Sequence, residues 1–190
     1  MKKRIWGTGI KQHKRKQGRK GFAGRSGIVC AYAKRKRRKR MRVALGSDHG
    51  GYALKLDVIK YLEERGIAYR DFGCGGPGSC DYPEFGSAAA RAVAAGEFER
   101  GIVICTTGIG ISIAANKVKG IRCALCSDPV SARLTREHND ANVLALGAGI
   151  VGANLALGIV DVFLHTPFSE GERHCRRLAA IQALEEETVR

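Results

Sequence analysis

From residue 41 onward, short apolar runs alternate with segments in which apolar residues recur every three or four positions. Such runs are typical of buried strands, and the spaced segments are typical of amphipathic helices. The pattern predicts five strands, at 42–45, 68–72, 101–105, 121–126 and 143–146. It also predicts helices at 53–65, 82–96, 113–117 and 129–138, and two more near 151–164 and 170–187.

Strands that alternate with helices over residues 41–190 predict one α/β domain, with a five-stranded parallel sheet covered by helices on both faces. The expected fold class is a three-layer, Rossmann-like sandwich. Proteins of this architecture bind ligands beyond the carboxyl ends of their strands. We therefore expect the chemistry-bearing loops of this chain to lie together at that edge of the sheet.

Positive charge is concentrated at the start of the chain. The 190 residues include 33 Lys and Arg against 18 Asp and Glu, which gives a formal net charge of +15. Residues 1–40 hold 17 of the basic residues and no acidic one, so residues 41–190 have a net charge of −2. The main body is therefore not a basic nucleic-acid-binding protein.

Residues 1–40 form a low-complexity basic tail that is predicted to be disordered, because its like charges repel and it has little apolar surface to bury. One interpretation is an RNA-associated protein that acts through this tail. It predicts salt-sensitive RNA binding that is lost when residues 1–40 are deleted. The interpretation that we favour is a mis-set start codon, with Met41 as the natural first residue.

The cysteine content and the apolar segments indicate the cellular compartment of the protein. Seven cysteines are an odd number, they have irregular spacings, and the first residues lack the apolar core of a secretion signal. These features favour a reducing, cytoplasmic environment. No apolar segment is long enough to predict a membrane span. Cys123 and Cys126 form a C-x-x-C motif in a predicted strand, where they would point to opposite faces and suit a metal poorly.

A glycine-rich loop after the strand 101–105 carries the strongest candidate chemistry. Glycines let a ligand approach the backbone closely, and N–H groups at a helix N-terminus attract anions. Cys105 is the last residue of the strand, where a thiol can serve as a base or a nucleophile, with a buried structural cysteine as the alternative. Hydroxyl groups follow at Thr106, Thr107 and Ser112.

Two polar motifs border other strands. Asp48 and His49 follow the first strand, where they could transfer protons or bind a phosphate, or where Asp48 could cap a helix. His138 and Asn139 belong to a polar segment before the fifth strand. Polar groups are costly to bury without a purpose, although a solvated loop is the alternative there.

Arg173 and Arg177 form the fourth candidate group. They are four residues apart in a predicted helix, so they share one face. Two guanidinium groups on one face suit a phosphate or a carboxylate. Pairing with Glu170 and Glu172, or a solvated helix face, is the alternative.

The order of the motifs carries more information than any single motif. The chain contains GSDHGG at 46–51, DYP at 81–83, ICTTGIGISIAANK at 104–117, HNDANV at 138–143 and RHCRR at 173–177. Together they closely resemble the B-type ribose-5-phosphate isomerases, in the family that these share with galactose-6-phosphate and allose-6-phosphate isomerases. The likeness spans residues 41–190 and excludes 1–40.

The resemblance implies an aldose–ketose isomerase that interconverts ribose 5-phosphate and ribulose 5-phosphate through a cis-enediolate, without a metal or another cofactor. It implies that Cys105 is the base, that His138 opens the sugar ring, and that Arg173 and Arg177 bind the phosphate across the interface of a homodimer or tetramer. It further implies substrate contacts at Asp48, His49, Thr106, Thr107, Gly108, Ile109, Gly110 and Asn139, of which Asp48 and Thr107 also assist catalysis.

Two positions depart from the family pattern, and one alternative concerns the substrate. Gly149 stands where the family often has a further phosphate-binding Arg, and Thr106 replaces a frequent Gly. A hexose-phosphate isomerase of the same family is the alternative to the pentose enzyme. The His-Asn-Asp segment that begins at His138 favours the pentose enzyme over the galactose-6-phosphate branch.

Overall fold

The computed structural model describes residues 41–187, so the predictions for the basic tail, 1–40, fall outside the described residues. The strands are β1 (Arg42–Ser47), β2 (Ala68–Asp71), β3 (Arg100–Cys105), β4 (Cys123–Leu125) and β5 (Val143–Gly147). They form one parallel sheet in the order β2-β1-β3-β5-β4. The helices are α1 (Tyr52–Glu64), α2 (Tyr82–Ala94), α3 (Ile109–Asn116), α4 (Pro129–Asn139), α5 (Ala153–His165) and α6 (Glu172–Glu187).

Helices cover both faces of the sheet, because successive side chains of each strand point to opposite sides. Leu45 and Ile104 point to one face, where they pack with apolar residues of α1, α4 and α5. Ala44 and Val103 point to the other face, where α2 and α3 lie. This arrangement confirms the predicted three-layer sandwich. No helix within residues 41–187 combines the length and the apolar character that crossing a membrane requires.

Two elements differ in length from their predictions by three residues, and the ends of the others lie within two residues of their predicted positions. Helix α3 begins at Ile109 and not at residue 113, because Gly108 adopts a φ of 76° and ends the preceding loop there. Strand β4 contains three residues and not the six of 121–126. At its start, the backbone N–H of Arg122 donates to the side chain of Asn142 at 2.8 Å and not to a neighbouring strand.

The two cysteines of the C-x-x-C motif lie on opposite faces of the sheet, as predicted for a strand. Cys126 belongs to the apolar cluster of one face, and Cys123 packs against the cluster of the other face. Burial raises the pKa of the Cys126 thiol to about 11 and also raises the pKa of Cys123. Both thiols are therefore uncharged at neutral pH.

Candidate active site

Cys105 lies at the carboxyl end of β3, where the chain leaves the middle of the sheet. Cys105 is 4% exposed and packs on the face of the sheet that α2 and α3 cover. The backbone N–H of Gly108 donates a hydrogen bond to its Sγ at 3.0 Å. The loop after β3 therefore folds back over the sulfur and directs an N–H group at it.

Gly108 determines the shape of this loop. Its φ of 76° lies in the left-handed region that favours glycine. A Cβ at this position would lie 2.8 Å from the carbonyl carbon of Leu146 and 2.9 Å from the nitrogen of Gly147. Because α3 begins directly after Gly108, its first N–H groups have no partner within the helix. One of them, on Ile109, donates to Oγ1 of Thr107 at 3.3 Å.

The turn after β1 places Asp48 and His49 at the same edge. The backbone N–H of Asp48 donates to the carbonyl of Ile104 on β3 at 3.3 Å. Its buried carboxylate accepts from the N–H of Gly51 at 3.0 Å, so Asp48 caps a short 3₁₀ turn, as the alternative interpretation held. His49 is exposed, and its Nδ1 accepts from the backbone N–H of Cys80 at 3.2 Å. The loop after β2 therefore fixes this ring at the edge.

Thr106 fills the space between Gly50 and Gly149. Its Oγ1 packs against Gly50 and would overlap a Cβ there. A Cβ at residue 149 would lie 3.2 Å from the carbonyl oxygen of Thr106 and 3.4 Å from its Cγ2. The two departures from the family pattern are thus neighbours, because a side chain at residue 149 would contact both the backbone and the side chain of Thr106.

Tyr82 also lies at this edge, although the sequence marked it only as part of the DYP motif. A Cβ at Gly110 would lie 2.5 Å from Cζ of Tyr82 and 2.8 Å from its hydroxyl oxygen, so the ring packs directly on the Gly110 backbone. An aromatic residue at the first position of a predicted helix was the signal available in the sequence.

His138 and Asn139 lie at the opposite, amino edge of the sheet. They belong to the last turn of α4, which starts after the carboxyl end of β4 and ends just before β5. The N–H of Gly101, near the start of β3, donates to the carbonyl of Asn142 at 2.9 Å. Four residue steps along the strand lead from Gly101 to Cys105, a distance of about 13 Å. The expectation that all chemistry-bearing loops share the carboxyl edge is therefore wrong for this segment.

Buried ion pairs hold this last turn of α4. The carboxylate of Asp140, 2% exposed, accepts from Arg136 at 2.8 Å and from Arg122 at 3.3 Å. Arg122 also donates to the carbonyl of Asn139 at 2.9 Å. Asp140 ends the helix with a φ of 43°. The placement of His138 thus depends on charged groups beneath it.

Helix α6 brings Arg173 and Arg177 to the amino edge as well. The N–H and the hydroxyl of Ser169 donate to a carbonyl in the last turn of α4, at 3.1 and 2.6 Å, and so fix the segment before α6. The imidazole rings of His138 and His174 stack with centroids 4.4 Å apart and an interplanar angle of 6°. His174 was not among the predicted site residues.

The predicted site residues therefore form two groups within one chain. Both arginines are exposed, and within residues 41–187 no ion pair joins them to Glu170 or Glu172. The carboxyl-edge group comprises Asp48, His49, Cys105, Thr106, Thr107, Gly108, Ile109 and Gly110. The amino-edge group comprises His138, Asn139, Arg173 and Arg177.

The fold and these two groups define an α/β protein with a thiol beneath an N–H-lined loop and a separate cluster of histidines and arginines. A family model described as Ribose/Galactose Isomerase matches residues 43–181. Ribose-5-phosphate isomerase B of Escherichia coli (strain K12) is 50% identical over 145 residues, which are 76% of this chain and 97% of that protein.

Solved structures give the same result. Ribose-5-phosphate isomerase B of Clostridium thermocellum is 53% identical, with a TM-score of 0.76 over 78% of this chain and 99% of that one. The type B enzyme of Trypanosoma cruzi is 42% identical, with a TM-score of 0.76 over 79% of this chain and 99% of that one. The chain therefore belongs to the Ribose/Galactose Isomerase family and is an aldose–ketose isomerase of sugar phosphates.

Proposed function

We propose that this isomerase interconverts ribose 5-phosphate and ribulose 5-phosphate, with Cys105 as the base. The observation that carries the proposal is the 3.0 Å hydrogen bond from the Gly108 N–H to Sγ, at the edge where proteins of this architecture bind ligands. The similar proteins of Escherichia coli and Clostridium thermocellum are named ribose-5-phosphate isomerases, which supports the pentose as the substrate.

In the proposed reaction the Cys105 thiolate removes the proton from C2 of the open-chain aldose. The electrons of the broken C–H bond form the C1=C2 double bond of a cis-enediolate, and the carbonyl electrons move onto O1. Transfer of the C2-hydroxyl proton to O1, with return of the first proton from Cys105 to C1, forms the C2=O carbonyl and gives the ketose. A positioned base contributes about 10²–10⁴-fold to the rate of such a step.

The groups around Cys105 suit the charges that this step develops. The Gly108 N–H stabilises negative charge on the sulfur, and the first N–H groups of α3, with the Thr107 hydroxyl, can donate to the enediolate oxygens. Removing one such donor costs about 3–4 kcal/mol of transition-state stabilisation in comparable sites. Asp48 and His49, on the neighbouring turn, are proposed to hold the sugar hydroxyls.

The remaining roles fall to the amino-edge group. An aldopentose phosphate closes into a ring, and His138 is proposed to open it by moving a proton to the ring oxygen. Asn139 is proposed to contact the sugar, and Arg173 and Arg177 to bind the phosphate. Since β3 alone separates the two groups by about 13 Å, the chemistry requires a second copy of the chain to supply the amino-edge group to Cys105.

Exposed apolar side chains support such an assembly. Five of them lie at or just beyond the carboxyl edge of the sheet, the edge that also carries Cys105. They are Ile109, Ile113, Leu125, Val130 and Ile150, and each is at least 43% exposed in the single chain. Apolar surface of this kind, rimmed by polar residues, marks protein–protein contacts. A homodimer or a higher oligomer would cover it.

Mixing two inactive variants tests whether the site is shared between copies. Cys105→Ala and His138→Ala chains, unfolded together and refolded at equal concentrations, should form mixed dimers with one intact site each. Random pairing makes half of the dimers mixed, so about a quarter of the wild-type activity per chain is expected. Each variant refolded alone is the control. Activity no higher than that of the separate variants would show that the two residues do not share a site across copies.

A substrate panel tests the pentose preference. We expect kcat/KM for ribose 5-phosphate to exceed the values for allose 6-phosphate and galactose 6-phosphate by about tenfold or more, because a sugar with one more carbon must fit the same pocket. Activity should persist after dialysis against EDTA, and the chain starting at Met41 should be as active as the full chain. A preference for a hexose phosphate would favour the alternative member of the family.

A further inference from the structure

One histidine beside the amino-edge group has no role in the proposed reaction. His174 lies in the first turn of α6 and is 6% exposed, whereas its neighbours Arg173 and Arg177 reach the surface. A buried polar ring between two exposed guanidinium groups needs partners, because desolvating it without them is costly. The structure supplies two partners, one on each of two elements.

The first partner is the ring of His138 on α4. The two imidazoles are nearly parallel, with an interplanar angle of 6° and centroids 4.4 Å apart. His138 is only partly buried, so His174 forms the inner layer of the stack and His138 the outer one. A flat surface beneath the outer ring limits its rotation and fixes the direction of its two nitrogens.

The second partner is the guanidinium of Arg173. Its Nε donates a hydrogen bond to Nε2 of His174 at 3.1 Å. Because an arginine can only donate, Nε2 must be the lone-pair nitrogen, and a neutral His174 then carries its proton on Nδ1. This bond uses one edge of the guanidinium and leaves the terminal nitrogens of Arg173 for another ligand.

The surroundings keep His174 neutral. Burial lowers the pKa of its imidazole, and the nearby positive charge of His138 on α4 and of Arg173 and Arg177 on α6 lowers it further. Two stacked imidazoles cannot both be positively charged without repulsion.

We propose that His174 is a positioning residue that fixes the ring plane of His138 and the guanidinium of Arg173 at the same time. The inference rests on the proposed function, in which His138 opens the sugar ring and Arg173 binds the phosphate. It adds a residue that touches neither the substrate nor the reacting atoms, and it joins the two tasks through one buried side chain.

Two substitutions separate the contacts of His174. His174→Phe keeps an aromatic face for His138 but removes the acceptor for Arg173, so KM and the Ki of inorganic phosphate should rise about tenfold while kcat changes little. His174→Gln keeps an acceptor near the position of Nε2 but removes the stack. It should lower kcat about tenfold or more, with the Ki of phosphate nearly unchanged.

The matched control is His165→Phe. His165 is also bonded, to Asp161 at the end of α5, but it is exposed and outside the site, so its loss should leave kcat and KM unchanged. Wild-type kcat, KM and phosphate Ki in both His174 variants would overturn the proposal. So would equal losses of kcat and phosphate affinity in both, because the two contacts would then not be separable.

A spectroscopic measurement on the wild-type oligomer decides the question without activity. Correlated ¹⁵N–¹³C spectra of the imidazoles should show His174 with its proton on Nδ1, and still neutral at pH values below its ordinary pKa of 6.5. A proton on Nε2 would overturn the proposal. If the wild type does not isomerise ribose 5-phosphate, the proposed function fails, whereas the spectra and phosphate titrations of the variants still test His174.

The pH dependence of stability has a defined sign. Below pH 6.5 the unfolded chain takes up a proton at His174 that the folded chain resists, so the free energy of unfolding falls as the pH is lowered. The decrease between pH 7 and pH 5.5 should be smaller in His174→Phe than in the wild type. An equal decrease in both proteins would show that His174 is protonated as easily in the folded state and would contradict the proposal.

Discussion

Replacing Cys105 with alanine is expected to lower kcat by about 10²–10⁴-fold, because the variant has no group at the tip of β3 to move the proton between C2 and C1. KM should change much less, since the proposed phosphate ligands and the sugar contacts remain. The measurement is steady-state isomerisation of ribose 5-phosphate, with exchange of the C2 proton into deuterated solvent as a direct readout of the proton transfer.

A control must separate lost chemistry from lost structure. Cys105→Ala also removes the hydrogen bond from the Gly108 N–H, so thermal unfolding of the variant should be compared with that of the wild type. Cys123→Ala is the matched cysteine control, because that thiol lies on β4 and outside both groups of site residues. If Cys105→Ala retained the wild-type kcat, another group would be the base and the proposed mechanism would be wrong.

The fold follows from the sequence because most strands are short apolar runs and most helices have apolar residues at a clear spacing. The sequence does not indicate where α3 begins, because glycines 108 and 110 are poor helix formers and together indicate a loop. In the folded chain Gly108 supplies the left-handed turn before the helix, and Gly110 gives the Tyr82 ring room to pack on its backbone. Both reasons are tertiary contacts that local propensity does not contain.

The division of the site into two groups could not be derived from spacing along the chain. His138 is close in sequence to β5, but α4 runs back across the sheet and delivers it to the amino edge. The role of His174 was equally hidden, because a histidine flanked by arginines looks like part of a solvated helix face. Only the packing of α6 against α4 shows that its ring is buried under His138.

Asp140→Ala is expected to destabilise the folded chain by about 3–5 kcal/mol, the largest loss of stability that we predict, because it leaves the buried Arg136 without its carboxylate partner. Arg136 is 1% exposed and lies 2.8 Å from Asp140, so water cannot replace the lost charge. The measurement is urea unfolding at a fixed protein concentration, since assembly also contributes to the stability of an oligomer.

Glu137→Ala is the matched control, since it removes an ion pair of the same i, i+4 type from the same helix. Glu137 pairs with Arg133 at 2.9 Å near the surface, where such a pair contributes about 0.3–0.5 kcal/mol.

Asp140→Asn separates charge from backbone geometry, because asparagine also tolerates the positive φ at this position. A loss below about 1 kcal/mol in Asp140→Ala would contradict the prediction, because a cost that small is typical of a surface pair and not of a buried one. A large loss in alanine with little in asparagine would assign the effect to hydrogen bonding and to the positive φ, which asparagine tolerates, and not to charge.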